Sequence, residues 1–408
     1  MDILWLKGDL LHPVDKGGKI RTYQMLRQLR RDHKVTFLTL ANRDDPPEAL
    51  GLAHEYCDRL VSVPYEEPRK FSPRFYRDLL LNLSSPLPYA LEKYQSEAMR
   101  REISREMREH HYDVIVCDFL VPSVNIPEPN DWTTVLFQHN VESMIWRRHF
   151  ETQSHRLKKT YLYNQWRKMD RYERAACHRF DAVVAVSEAD RDLMREEFGL
   201  REVYDVPTGV DTEFFRPAGA AVNPRELVFT GSMDWMPNED GMLYFVEKIL
   251  PIVRRSMPDV ELTVVGRNPT RQLVAMAEAD PRIKVTGRVD DIRPYLDRAA
   301  ASIVPLRVGG GTRLKIYEAM AMARPVISTT VGAEGLPLSD GEEIFIADAP
   351  EEFAERVVRV LSDEALASRM GARGREVVCS RFGWDRAADR FSEICERVVR
   401  NNSRKRAA

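Results

Sequence analysis

Between Ser302 and Gly335 the chain reads SIVPLRVGGGTRLKIYEAMAMARPVISTTVGAEG. An apolar run (Ile303 to Leu306) is followed by a glycine triplet (Gly309, Gly310, Gly311), a helix-like segment from Leu314 to Met322, and a second β-type run from Pro325 to Thr330. Strand, glycine loop, helix, strand is the unit of a parallel α/β sheet. Three glycines let the backbone turn tightly and approach a ligand, and the helix that follows points its free N–H groups and positive dipole end at the loop. An anion, a phosphate first of all, suits that place. Arg313 and Lys315 add positive charge, and Glu318, one turn further on, is placed to accept hydrogen bonds from a hydroxylated ligand. These parts suit a nucleotide-sugar. The same residues also fit a plain turn before a solvated helix face carrying an i,i+3 ion pair, so the loop alone leaves both readings open.

The remainder of the chain repeats the same alternation. Ile3 to Leu6, a helix from about Lys19 to Arg31 and Val35 to Leu40 form a β-α-β start, whose first loop, HPVDKGG, sets Gly17 and Gly18 just before the helix. That loop departs from GxGxxG and no acidic residue closes the second strand, so a dinucleotide cofactor is not expected. Further strands are expected at Arg59 to Val63, Asp113 to Cys117, Thr133 to Gln138, Ala182 to Ser187 and Val203 to Pro207. The strand at Thr133 runs into QHNVES, which puts His139 and Glu142 at the carboxyl edge of the sheet, where open α/β sheets bind ligands. After PTGVDTEFFRP and a polar stretch a second series begins at Leu227. It runs as strand LVFTG, loop SMDWMPNEDG, helix Met242 to Arg255, strand LTVVG, helix Thr270 to Ala279, strand IKVTG and helix Asp291 to Ala299, and ends in the glycine-loop unit.

A length of 408 residues also exceeds what one hydrophobic core usually serves. The expectation is therefore α/β, with two Rossmann-like domains facing a central cleft that holds the site. The first spans residues 1–206 and is rejoined by a crossover helix at 382–400. The second spans 207–381, and 401–408 is a basic tail expected to be disordered. Lys plus Arg number 61 against 63 for Asp plus Glu, so overall charge gives no reason to expect nucleic acid. No apolar run approaches the roughly 18 residues that a bilayer requires, and the first residues read as a strand rather than a signal peptide. The expected location is the cytoplasm or the inner face of its membrane. Five cysteines without CxxC spacing argue against a disulfide frame or a zinc site. The one DxD triplet, Asp190-Arg191-Asp192, falls in a helix-like run, so no metal is expected.

VPTGVDTEFFRP, GSMDWMPNEDG, VTGRVDDIRPYL, VPLRVGGGTRLKIYEAMAMARPVIST and GAEG, with the KGG loop and QHNVES, resemble the retaining glycosyltransferases of family 4, in particular sugar transferases of exopolysaccharide gene clusters. The resemblance covers almost the whole chain and implies the two-domain GT-B architecture. It implies that Gly17 and Gly18 form the loop that closes on the donor diphosphate. Glu318 would hold the ribose hydroxyls of the nucleotide, and His139 would lie close to the transferred sugar. The first glutamate of the family's spaced pair falls at Gly310 here. The family's Arg and Lys after the first strand of the second domain are replaced by GSMDWMPNEDG, and Arg313 and Lys315 are expected to supply that charge.

Retaining transfer needs a stabilised leaving diphosphate and a positioned acceptor hydroxyl. The expected catalytic residues are His139, Arg313 and Lys315. Gly17, Gly18, Gly309, Gly310, Gly311, Thr312, Glu318 and Asn238 are the expected donor contacts. The expected donor is a UDP- or GDP-linked sugar and the expected acceptor a glycan or polyprenyl-linked molecule, with no cofactor expected. Basic and aromatic residues from Trp146 to Arg179 and from Pro73 to Leu91 fit a peripheral membrane contact. They fit equally a set of core aromatics beneath a solvated arginine face. Two other functions remain open on the residues alone: a nucleotide-sugar epimerase on the same scaffold, and a non-catalytic nucleotide-sugar-binding scaffold protein.

Overall fold

The computed structural model describes residues 1–15, 17–69, 71–128, 131–153, 155–308 and 314–407. The chain divides into two compact units: Met1–Thr208 with Ala387–Ala408, and Gly209–Arg386.

The first unit is built on seven parallel strands: β1 (Asp2–Lys7), β2 (Lys34–Asn42), β3 (Arg59–Tyr65), β4 (Val114–Asp118), β5 (Thr134–Phe137), β6 (Ala182–Ala185) and β7 (Val203–Asp205). Their order across the sheet is β3-β2-β1-β4-β5-β6-β7. The strands are short apolar runs because both faces are covered, and Ile3, Leu4, Trp5 and Leu6 of β1 are all buried. Each such side chain contributes roughly 1.5–3 kcal/mol on burial. The connecting helices are α1 (Gly17–Leu29), α2 (Glu48–Gly51), α3 (Pro73–Asn82), α4 (Tyr89–Glu92), α5 (Glu97–Glu109), α6 (Glu142–Thr152), α7 (Arg156–Cys177) and α8 (Glu188–Glu197). The strand order reverses between β1 and β4, so the carboxyl ends of these two strands, Lys7 and Asp118, flank the switch point at which such sheets bind ligands.

The second unit repeats the plan with six parallel strands: β8 (Asn223–Thr230), β9 (Glu261–Val265), β10 (Ile283–Val285), β11 (Ala299–Val304), β12 (Val326–Ser328) and β13 (Phe345–Ile346). Their order is β10-β9-β8-β11-β12-β13, with the reversal between β8 and β11. Around them lie α9 (Met236–Tyr244), α10 (Leu250–Ser256), α11 (Arg271–Ala279), α12 (Arg293–Arg298), α13 (Leu314–Ala321), α14 (Pro350–Ser362) and α15 (Glu364–Arg381). The stretch SMDWMPNEDG, expected as a loop, is helical from Met236 onward. Pro237 occupies the first turn, where a missing N–H costs nothing. A π turn at Phe245–Ile249 carries the helix into α10 and its Pro251.

The last helix, α16 (Trp384–Ala407), belongs to the first unit from Ala387 onward. Its Phe391 packs on Trp5 and Phe137, with ring centroids 5.5 and 5.0 Å away. The tail expected to be disordered continues this helix to Ala407. Asp190 and Asp192 lie on α8, where Asp190 accepts from the Ser187 hydroxyl at 2.8 Å and Asp192 is engaged by Arg191. All five cysteines are free thiols, and only Cys379 is exposed. The aromatics of the Trp146 to Arg179 run zip α6 to α7, with Phe150 stacked on Trp166 at 5.7 Å.

Candidate active site

At the switch point of the first unit, one oxygen of the buried Asp118 carboxylate, Oδ2, accepts three hydrogen bonds. Thr22 Oγ1 donates at 2.6 Å, Trp5 Nε1 at 3.0 Å and Lys7 Nζ at 3.1 Å. The other oxygen, Oδ1, lies 2.8 Å from His139 Nε2, off the line of an ordinary ring hydrogen bond. Burial acts to raise the Asp118 carboxyl. Lys7, His139 and the Thr22 hydroxyl together outweigh it and hold the group well below the usual carboxylate range. The His139 imidazole is pushed down to about 4 by burial, against the pull of Asp118, and Arg21 and Lys7 add to the depression. At neutral pH His139 is therefore an uncharged ring beside an ionised carboxylate.

Phe119 closes this cluster. Its backbone sits at φ 69°, a conformation that L side chains rarely adopt. Its ring stacks on His139 at 3.8 Å and underlies Lys7 Nζ at 4.3 Å. A Cβ at Gly18 would stand 2.8 Å from this ring, so α1 approaches closely enough that any larger residue there must displace Phe119. Gly17 and Gly18 are the first two residues of α1 rather than a loop before it. The segment that carries His139 is pinned from α7, where Glu173 accepts from Gln138 Nε2 at 3.0 Å and from the N–H groups of Glu142 and Ser143 at 2.8 Å each. Glu142, expected at the ligand edge, forms the first turn of α6. Burial and the neighbouring Glu173 push its carboxyl up to about 7.

In the second unit, Gly231 after β8 opens a loop whose N–H groups are held by the end of β9 and the chain after it: Gly231 N donates to Val265 O and Met233 N to Arg267 O, each at 2.9 Å. Gly266 lies against that loop so closely that a Cβ would fall 1.8 Å from Gly231 O. Asn238 on α9 donates to Ser232 O at 2.8 Å and accepts from Lys315 Nζ at 2.6 Å, so two of the expected site residues meet. Lys315 also lies over the Phe229 ring at 4.2 Å. Glu318, one turn further along α13, is partly buried, and burial pushes its carboxyl up to about 7 against the opposing charge of Lys315. Among the described residues its carboxyl accepts no hydrogen bond. Gly309, Gly310, Gly311, Thr312 and Arg313 lie outside the described residues.

Arg267 is a cation that the sequence reading did not single out. Its Nε donates to Ser232 Oγ at 2.9 Å, and its guanidinium lies 3.7 Å from Asp234. It thus reaches the Gly231 loop from the end of β9, the strand beside β8.

A family model described as Glycosyltransferase Family 4 matches residues 16–214, and one described as Glycosyl transferases group 1 matches residues 224–363. The chain belongs to glycosyltransferase family 4. A relative from Klebsiella pneumoniae, an uncharacterized 44.6 kDa protein of the cps region, is 22% identical over 87% of this chain and 90% of its own length. The phosphatidyl-myo-inositol mannosyltransferase of Mycobacterium tuberculosis is 26% identical over 55% of this chain, a match that spans 62% of the relative. Among solved structures, sucrose-phosphate synthase from Thermosynechococcus elongatus superimposes with a TM-score of 0.73 at 17% identity, covering 98% of this chain and 100% of the other. Anabaena HepE, solved with UDP-glucose, gives 0.64 at 14% identity, covering 96% and 98%. The architecture is that of the GT-B glycosyltransferases: two Rossmann-like α/β domains. Asp118, Lys7 and Thr22 of this glycosyltransferase went unnoticed in its sequence, although Lys7 and Asp118 end adjacent strands at the carboxyl edge that had already pointed to His139.

Proposed function

We propose that this glycosyltransferase moves a hexose-type sugar from a UDP- or GDP-linked donor to a glycan or lipid-linked acceptor, with retention at the anomeric carbon, in the synthesis of exopolysaccharide or another cell-surface glycan. Glu318 is the observation that carries the donor reading. A carboxylate held partly buried, raised to about 7 and given no hydrogen-bond donor among the described residues is costly unless a ligand hydroxyl uses it. Glu318 accepts from the ribose hydroxyls of the nucleotide. Lys315, anchored by Asn238, and Arg267 supply positive charge to the diphosphate beside the Gly231 loop, and Arg313 contributes with them. No metal is required for that neutralisation. The cps-region relative supports the exopolysaccharide role, and the UDP-glucose complex of HepE supports a nucleotide-sugar donor.

On the first unit, the N-terminus of α1 at Gly17 and Gly18 suits an anion, and His139, 1% exposed beneath the Phe119 ring, orders this edge of the sheet rather than touching the sugar. The bond from the anomeric carbon to the diphosphate oxygen breaks, and the acceptor oxygen bonds that carbon on the same face. The acceptor proton passes to the departing phosphate oxygen. The test is a thermal-shift panel of UDP, GDP, ADP and their sugars on the wild type and Glu318→Ala, followed by transfer assays with and without EDTA and NMR of the product anomer. A shift with one nucleotide that Glu318→Ala abolishes, a product of retained configuration and indifference to EDTA support the reading. No shift at millimolar nucleotide turns it towards a non-catalytic scaffold, and an inverted product or a loss of rate in EDTA removes the corresponding part.

A further inference from the structure

Helix α3 lies between β3 and α4 in the chain and is fixed most firmly at its C-terminal end. Ser72 caps its first turn by accepting from Phe75 N at 3.1 Å. At the other end the buried Asn82 donates to Leu87 O at 2.9 Å and accepts from Gln165 of α7 at 2.8 Å, while Lys168 of α7 donates to its backbone oxygen at 2.5 Å. Inward, Phe75 meets Tyr89 edge-on at 5.7 Å. The outward side is apolar. Leu80 is 69% exposed, Leu81 65% and Leu83 49%, with Tyr76 at 52% and Phe71 at 76%. Tyr76, Leu80 and Leu83 follow one another at i, i+4 and i+7 on one helix face. On the first turn of α7, the helix to which Asn82 is tied, Leu157 is 78% exposed. Scattered exposed apolar residues need no explanation, but a run of them on one short helix marks a contact surface.

The charges around these side chains select the partner. Arg74 and Arg77 on α3, Arg69 in the chain before it, and Arg156 and Lys158 on α7 are all exposed, and Asp78, which pairs with Arg77 at 3.0 Å, is the one acid on α3. The whole chain carries a formal net charge of -2, so this cationic character is local. Leucines and aromatics interleaved with arginines on a ten-residue helix suit the plane of a lipid headgroup layer, and such a helix is far too short to span a bilayer. We propose that the outward face of α3 and the first turn of α7 dock on an anionic lipid bilayer, with Phe71, Leu80 and Leu81 entering the interface and the flanking arginines meeting headgroup phosphates. The proposal does not rest on the donor reading.

Co-sedimentation of the full chain with phosphatidylcholine vesicles, with and without phosphatidylglycerol, tests it. The wild type binds the anionic vesicles, and raised salt weakens that binding. Leu80→Ser/Leu81→Ser and, separately, Arg74→Gln/Arg77→Gln each lower the vesicle partition coefficient by roughly tenfold, while the circular dichroism spectrum and any nucleotide-induced thermal shift stay as in the wild type. Absence of binding to anionic vesicles, or binding that both double variants retain in full, overturns the proposal. So does sedimentation velocity in which Leu80→Ser/Leu81→Ser dissolves a dimer without changing vesicle binding, because the face would then belong to a second copy of the chain.

Discussion

His139 Nε2 lies 2.8 Å from Asp118 Oδ1, and the other oxygen of that carboxylate takes hydrogen bonds from Trp5, Lys7 and Thr22. Asp118, at the end of β4, thus ties together β1, α1 and the segment after β5. Asp118→Ala leaves Lys7, which is 2% exposed, as a buried charge without its carboxylate, and should cost about 3–5 kcal/mol in urea unfolding. Lys7→Met added to Asp118→Ala should recover a large part of that loss. Strict additivity of the two substitutions would show that the pair is not coupled.

The depressed His139 pKa makes stability pH-dependent with a definite sign. Its ordinary value is 6.5 and its folded value about 4, so the folded state binds fewer protons between those limits. The contribution is present in full above pH 6.5 and is lost as pH falls towards 4, by on the order of 3 kcal/mol. His139→Gln removes this titration. Denaturant unfolding at pH 7 and pH 4.5 should show the wild type losing more stability than the variant over that interval, and equal losses would mean that the ring is not held neutral.

Glu318 behaves in the opposite sense. Its folded pKa of about 7 lies above the ordinary 4.5, so the stability tied to its protonated form is complete below 4.5 and is lost as pH rises through 7. Glu318→Gln should therefore raise the melting temperature of the unliganded protein at pH 8, by on the order of 1–3 kcal/mol of stability, and change it little at pH 4.5. The same substitution should weaken nucleotide binding. A variant less stable than the wild type at pH 8 would mean that the carboxylate is satisfied within the fold.

Two glycines that look alike in the sequence should respond differently to alanine. At Gly18 the new Cβ meets the edge of the Phe119 ring, which can turn, so a loss of about 1–2 kcal/mol is expected together with reduced activity as the ring stacked on His139 moves. At Gly266 the obstacle is the backbone oxygen of Gly231, which has no rotamer to adopt. Gly266→Ala should cost more than about 3 kcal/mol or prevent accumulation of folded protein. Thermal melts of the two variants side by side decide the order.

The strands were legible in the sequence because parallel strands covered on both faces are short apolar runs. Those expected at Asp113 to Cys117 and Ala182 to Ser187 lie within a residue or two of β4 and β6. The start of α9 was not legible, because Pro237, Asn238 and Gly241 read as turn residues. In the fold Gly241 is the point where the helix comes so close to the end of β11 that a Cβ would meet Pro305 O at 3.0 Å, and packing overrides propensity.

By itself the sequence determined the α/β class, the two-unit plan and the family, since these follow from periodicity and from motifs whose residues are neighbours along the chain. Only the tertiary structure decided which charges face which. Lys7 and Asp118 are 111 residues apart, and Lys315 and Asn238 are 77 apart. The Arg267 guanidinium reaches the Gly231 loop because β9 pairs with β8. Burial, which sets the charge state of His139 and Glu318, is a property of the packed chain, and no local pattern of residue types encodes it.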